Sequence, residues 1–232
     1  MIPFRTTAPA AASPVVTMAL IVANIAVFFF QQGLSPDALA AFVRAYALVP
    51  IVYGRPDLAL AAGLDQDNYL PFLTSTFLHG GYPHLILNLW TLWLFGTPLE
   101  GRLGGLPFLF FYLLAGAAGG LCHVLFNWHS AVPALGASGA VAGVLGGFTW
   151  LFPKAKVALV QPIFVLPVIF HLPAFLFTAL WFALQLWRGT AELAAAAGAG
   201  VAWWAHVGGF AAGLALAVWF RAGKGGRRGP WG

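Results

Sequence analysis

Two stretches of the chain set one chemically able side chain against a stripe of very small residues. In Gly136-Ala137-Ser138-Gly139-Ala140-Val141-Ala142-Gly143-Val144-Leu145-Gly146-Gly147 the only strongly polar side chain is the hydroxyl of Ser138. In the other, one imidazole, His206, stands beside Ala205, Gly209 and Gly213. A serine hydroxyl is a weak nucleophile by itself. An imidazole within reach can take its proton and later return it to a leaving amine, which is the chemistry of acyl transfer. The oxyanion that develops needs donors. The backbone N–H of Ser138, at a helix start where such groups lack intrahelical partners, is one. The side chains of His84 and Asn88, one turn apart on a helical face, are the others.

These groups only matter if the chain brings them together. Gly136 and Gly139 flank Ser138, and Gly139, Gly143 and Gly147 recur at a spacing of four, so they line one helical face. Ala205, Gly209 and Gly213 repeat the pattern. Stripes of small residues let two helix backbones approach closely in a membrane. Taken alone, a serine in a glycine-rich helix bonds its own backbone and an asparagine in a span is interhelical glue. Four polar groups at one depth carry a different meaning, because polar groups in lipid are costly and mark function.

A membrane setting follows from composition. The chain has 232 residues, 61% of them hydrophobic and 7% charged, against about 25% charged in soluble domains. The expected fold is an all-α polytopic membrane protein, a single domain over residues 1–232 with six transmembrane helices. At about 20 apolar residues per crossing, the spans fall at about 14–31, 84–98, 107–126, 137–153, 168–187 and 200–220. The N-terminal run loosely resembles a signal peptide but leads to no small-residue cleavage site, and it reads as a retained first span. Residues 32–83 form a long first loop holding Asp37, Asp57, Asp65 and Asp67; within it, Ala38 to Val49 has the spacing of a helix lying in the interface. Pro162, Pro167 and Pro173 break the apolar stretch ahead of the fifth span into an interfacial loop.

Six spans put both termini on one side. Arg5, Arg102, Lys154, Lys156, Arg221, Lys224, Arg227 and Arg228 share that side, and Arg44, Arg55 and Arg188 the other, so the termini are expected in the cytoplasm and loop 32–83 outside. Net charge is +5, but the cations sit at span ends as topology signals, so no nucleic-acid partner is expected. Counting back from Lys154 and Arg221 at the helical rise puts Ser138 ~24 Å and His206 ~22 Å above the cytoplasmic charges, in a core of ~30 Å. His84 and Asn88 open the second span, which runs in the same direction. All four therefore meet near the outer face.

Other chemistries lack their residues. There is no His-Glu-x-x-His for a metalloprotease, no pair of aspartates within spans, and no mid-membrane ionisable residue of the transporter kind. No metal and no cofactor is expected. Cys122 is the only cysteine and excludes an intrachain disulfide. No Asp or Glu lies in a span, so the acyl-transfer unit reads as a dyad.

The set Gly136-Ala137-Ser138-Gly139, His84-Leu-Ile-Leu-Asn88 and Ala205-His206-Val-Gly-Gly209-Phe-Ala-Ala-Gly213 resembles the rhomboid family of intramembrane serine proteases, of the prokaryotic six-span type. Thr74-Ser75-Thr76-Phe77-Leu78-His79-Gly80-Gly81, Leu99-Glu100-Gly101-Arg102-Leu103-Gly104 and Trp203-Trp204 strengthen the likeness. The resemblance implies a rhomboid-like bundle with Ser138 as nucleophile, His206 as base, and His84 with Asn88 as oxyanion donors. It further implies single-span transmembrane proteins as substrates, cut near or within the span at small residues after local unwinding. The implied setting is a bacterial cytoplasmic membrane, with the active site opening outward. Many members carry Trp-Arg in the first loop where this chain has Leu70-Pro71.

Overall fold

The computed structural model describes residues 2–61, 64–65, 67–163, 166–195 and 201–223. Lys224, Arg227 and Arg228 of the expected cytoplasmic tail, and residue 200 at the expected start of the last span, lie outside the described residues. Strand β1 (Ile2–Thr6) is followed by helix α1 (Val15–Gln32), then by the loop helices α2 (Pro36–Tyr46), α3 (Pro50–Gly54), α4 (Pro56–Ala61) and α5 (Pro71–Thr74). Helix α6 (Tyr82–Thr91) runs through a widened turn at Leu92–Gly96 into α7 (Thr97–Leu103). The long α8 (Gly105–Phe126) and short α9 (Ser138–Leu151) follow, then strands β2 (Lys156–Ile163) and β3 (Leu166–Pro173), and finally α10 (Ala174–Ala195) and α11 (Trp203–Gly223). Among the described residues, three helices are long and apolar enough to cross a membrane by length and composition: Val15–Gln32, Gly105–Phe126 and Trp203–Phe220.

The widened turn has a local cause. Pro98 has no N–H to donate back to the preceding turn, and a wider turn absorbs the missing bond without ending the rod. Where this rod ends, Glu100 performs a second task. Its carboxylate accepts from the Val16 N–H at 2.9 Å, the Thr17 N–H at 2.8 Å and the Thr17 hydroxyl at 2.7 Å. A buried negative charge thus meets the positive end of α1, whose first N–H groups have no helical partner. Glu100 thus clamps α7 to the start of α1.

Two expectations are corrected. The chain is mostly but not wholly helical, because β1, β2 and β3 form an antiparallel sheet in that order. β2 and β3 pair along their full length, from Lys156↔Pro173 to Ile163↔Leu166. β1 joins from the far end of the chain, with Ile2 opposite Val160 and Thr6 opposite Val157. The segment expected to be an interfacial loop is therefore a hairpin. Its Val-Ala-Leu-Val and Val-Ile-Phe runs favour extended backbone, and prolines at 162, 167 and 173 exclude a continuous helix. For the same reason the helix expected from 168 starts at Ala174. Val157 and Leu159 are buried in the core, while Leu166, Val168 and Ile169 remain exposed. The Trp90 indole N–H donates to the Pro3 carbonyl at 2.7 Å and ties the sheet to α6.

The first loop folds against the bundle without the Trp-Arg pair. Phe72 packs on Gly120 of α8, and Tyr53, Tyr69 and Phe72 form a ring cluster with centroids 5.0–6.5 Å apart. Ser35 caps α2, which exposes all its faces in part and carries Arg44 in its last turn. Leu48 pairs with Ala134 in both directions, tying this loop to the link that precedes α9.

Candidate active site

Ser138 is the first residue of α9 and is half-buried. The chain reaches it through Gly136, whose φ of 127° lies in the region that side chains avoid. Glycine is required there for space as well. A Cβ on Gly136 would lie 2.6 Å from the His84 ring. The Gly136 N–H donates to the Ser75 carbonyl at 2.9 Å, which fixes the turn before the helix.

The helix carrying Ser138 is wedged against α11. A Cβ on Gly209 would fall on the Gly139 carbonyl group, one on Gly213 would fall on the Gly143 carbonyl, and one on Gly143 would meet Gly209 O at 3.0 Å. Gly139 faces Ala205 at ordinary contact, 3.4 Å from its carbonyl oxygen. Gly139 and Gly143 thus face the Ala205, Gly209 and Gly213 stripe with backbone touching backbone, whereas Gly147 turns to Phe111 and Leu99 and it is Gly146 that meets the α11 backbone at Phe210 and Leu214. A third stripe escaped notice in the sequence. Gly116 of α8 meets Ala140, and Gly119 meets the Ala205 carbonyl at 2.6 Å, again measured from a Cβ that is not there. The run Gly116-Ala-Ala-Gly119-Gly120 carried the signal.

This packing places Ser138, His206, His84 and Asn88 around one cavity of about 770 Å³. Its rim comes from Gly80, Gly81, Pro133, Leu135 and Ala202, in the segments that lead into α6, α9 and α11, and Leu145 and Trp181 line it deeper down. The Ser138 hydroxyl and the His206 ring are not hydrogen-bonded to each other. Catalytic pairs in unliganded enzymes are often long or poorly aligned in this way. The His206 ring is held from its other side. Its Nδ1 lies 2.8 Å from Gln185 Oε1 of α10, and Trp181 and Trp203 flank it with ring centroids 6.0 Å away.

Asn88 is buried, and its amide nitrogen lies 3.2 Å from His79 Nε2. An amide nitrogen carries two hydrogens, so one remains for the cavity. His79 is itself fixed by Gln31 of α1, which accepts from the His79 N–H at 3.0 Å and donates to the His79 carbonyl at 3.4 Å. Burial, and next the neighbouring His84 ring, lower the His79 pKa to about 4, so it stays neutral and can accept from Asn88. The His79 and His84 rings meet edge to face at 5.1 Å. His79 thus belongs to the site through Asn88. His123 also lines the cavity and pairs with Asn127 at 3.1 Å. Gln31 and Gln185, each a polar residue in an apolar run, were missed.

Comparison with known proteins shows the family. The Rhomboid domain family matches residues 66–223, which is well over half of the chain and includes every residue of the cavity. Rhomboid protein 1, mitochondrial, of Saccharomyces cerevisiae is 40% identical over 103 residues, 43% of this chain and 29% of that protein. Rhomboid protease GluP of Bacillus subtilis is 36% identical over 101 residues, 44% of this chain and 19% of that protein. RHOMBOID-like protein 6, mitochondrial, of Arabidopsis thaliana is 25% identical over 181 residues, 66% of this chain and 58% of that protein. The matches therefore span less than two thirds of the relatives' length. With the family match covering the whole cavity, and with helices built to cross a bilayer, this chain is an integral membrane protein that belongs to the rhomboid family.

Proposed function

We propose that the chain is an intramembrane serine endopeptidase that cleaves single-span transmembrane proteins near the outer membrane face. The observation that carries this reading is the shared cavity: a hydroxyl, an imidazole and two side-chain donors open on one space although they come from three helices far apart in sequence. In the proposed reaction Ser138 Oγ attacks the scissile carbonyl while His206 takes its proton. The negative charge on the carbonyl oxygen is met by the Ser138 N–H, the His84 ring and the free Asn88 amide hydrogen. His206 then protonates the leaving amine, and water, activated by the same ring, releases the acyl group. A substrate helix must unwind locally to present its carbonyl, and small residues at the cut fit the glycine-lined approach beside Gly136.

The six-span topology is part of the proposal, with α1, the α6–α7 rod, α8, α9, α10 and α11 as the crossings. The cations Arg102, Lys154 and Lys156 lie at the end of the bundle opposite the cavity, which supports cytoplasmic termini and a site open to the outside of a bacterial cytoplasmic membrane. The test is cleavage of a single-span substrate by the purified chain in proteoliposomes, beside labelling of Ser138 by a fluorophosphonate. Ser138→Ala is expected to insert and unfold like the parent while losing both signals. Cleavage retained by that variant would refute the reading.

A further inference from the structure

Helix α10 presents apolar side chains to its surroundings, with Phe175, Leu180, Leu184 and Trp187 exposed. Gln185 interrupts this pattern. It is 4% exposed, on the side of α10 that packs against α11, and one turn beyond Trp181 of the cavity lining. An amide buried at membrane depth is costly unless it is bonded, and such residues mark function. Both ends of this one are occupied: Oε1 lies 2.8 Å from His206 Nδ1, and Nε2 donates to the Trp181 carbonyl at 3.4 Å.

The second bond decides the orientation of the first. A carbonyl can only accept, so the amide nitrogen must face Trp181 and the amide oxygen must face the ring. An amide oxygen can only accept too, so His206 must carry its proton on Nδ1. Nε2 is then the bare nitrogen. We propose that Gln185 is a positioning residue that holds His206 in the Nδ1–H tautomer and stabilises the imidazolium formed during the reaction. The proposal rests on reading His206 as the base.

The proton count is simple. When Ser138 attacks, its hydroxyl proton passes to Nε2 and the ring becomes a cation with both nitrogens protonated. The Nδ1–H···Oε1 bond then changes from neutral to charge-assisted, and such bonds are shorter and about twice as strong. The proton leaves Nε2 for the departing amine, and the Nδ1 proton never moves. The bond is therefore stronger in the transition state than before it, which is the condition for raising kcat. A carboxylate in this place would bring a costly negative charge into the membrane. An amide supplies the acceptor without the charge.

The experiment uses the full chain with its histidines labelled with 15N, in micelles, with His206→Ala to assign the ring signals. The parent is expected to show His206 as the Nδ1–H tautomer. Gln185→Leu, which removes the acceptor and keeps an apolar side chain of similar length, is expected to show mixed tautomers. Its kcat on a single-span substrate should fall about ten- to hundredfold with KM unchanged, on the scale of a hydrogen bond to a charged group. Fluorophosphonate labelling of Ser138, which involves no substrate binding, should slow alongside it. An Nε2–H tautomer in the parent would overturn the proposal, whether or not the variant folds. So would a Gln185→Leu protein whose labelled molecules turn over at the parental rate. A parent chain that neither cleaves nor labels would instead overturn the protease reading, and the tautomer spectrum would still decide the Gln185 bond.

Discussion

Adding a single methyl group at Gly209 probes how closely the two halves of the site are held. Its Cβ would stand 2.8 Å from the Gly139 carbonyl carbon and 3.3 Å from the Gly139 Cα, where ordinary contact begins at 3.4 Å. The Gly139 carbonyl oxygen would be overlapped outright; all these neighbours are backbone, so no side chain can swing aside, and α9 and α11 must separate by well over the 0.6 Å that the carbonyl carbon alone would require. Gly139 directly follows Ser138, and Gly209 lies less than one turn past His206. The separation is therefore passed almost undiminished to the nucleophile and its base. A misplacement of ~1 Å costs about 10²-fold in rate, so a loss of at least that order is expected for Gly209→Ala. Overpacking a close contact costs ~1–3 kcal/mol, which will lower the unfolding temperature as well. Cleavage in proteoliposomes and thermal unfolding in detergent read the two effects. Two controls sharpen the result. Gly139→Ala meets Ala205 at an ordinary 3.4 Å and is expected to be mild although it adjoins Ser138. Ala211→Val, on the exposed side of α11, is expected to change nothing. A Gly209→Ala protein with parental rate and stability, or Gly139→Ala as the more damaging change, would refute the packing argument.

Glu100→Gln removes the charge that α1 leans on while keeping an acceptor. It is expected to lower stability by about 1–3 kcal/mol in chemical or thermal unfolding, with the rate per folded molecule unchanged. Asn88→Ala is expected to reduce turnover by ~10²–10³ while the unfolding temperature moves little. A loss of stability with normal turnover per molecule would show that Asn88 serves only to prop His79.

What could be read from residues alone was whatever leaves a local or periodic trace. Glycines four apart lie on one face of any helix, so the contact between α9 and α11 was legible from Gly139, Gly143, Gly209 and Gly213 before any coordinates. Polar groups stand out in apolar runs, and the helical rise converts position in a span into depth, so Ser138, His206, His84 and Asn88 could be gathered at one level. Tertiary structure decided the rest, because those contacts join segments with no shared pattern. Nothing in Ile2–Thr6 announces a partner near residue 160, since strand pairing depends on what lies alongside and not on a local motif. Glu100 sits in the first turn of α7, and nothing in that turn names the start of α1 as its partner. Gln31 and Gln185 each looked like one polar residue among many apolar ones. Only the approach of α1 to the His79 peptide, and of α10 to the His206 ring, turns them into partners. A hydrogen bond is specified to within a few tenths of an ångström, and no periodicity in a sequence carries that information across 21 or 48 residues.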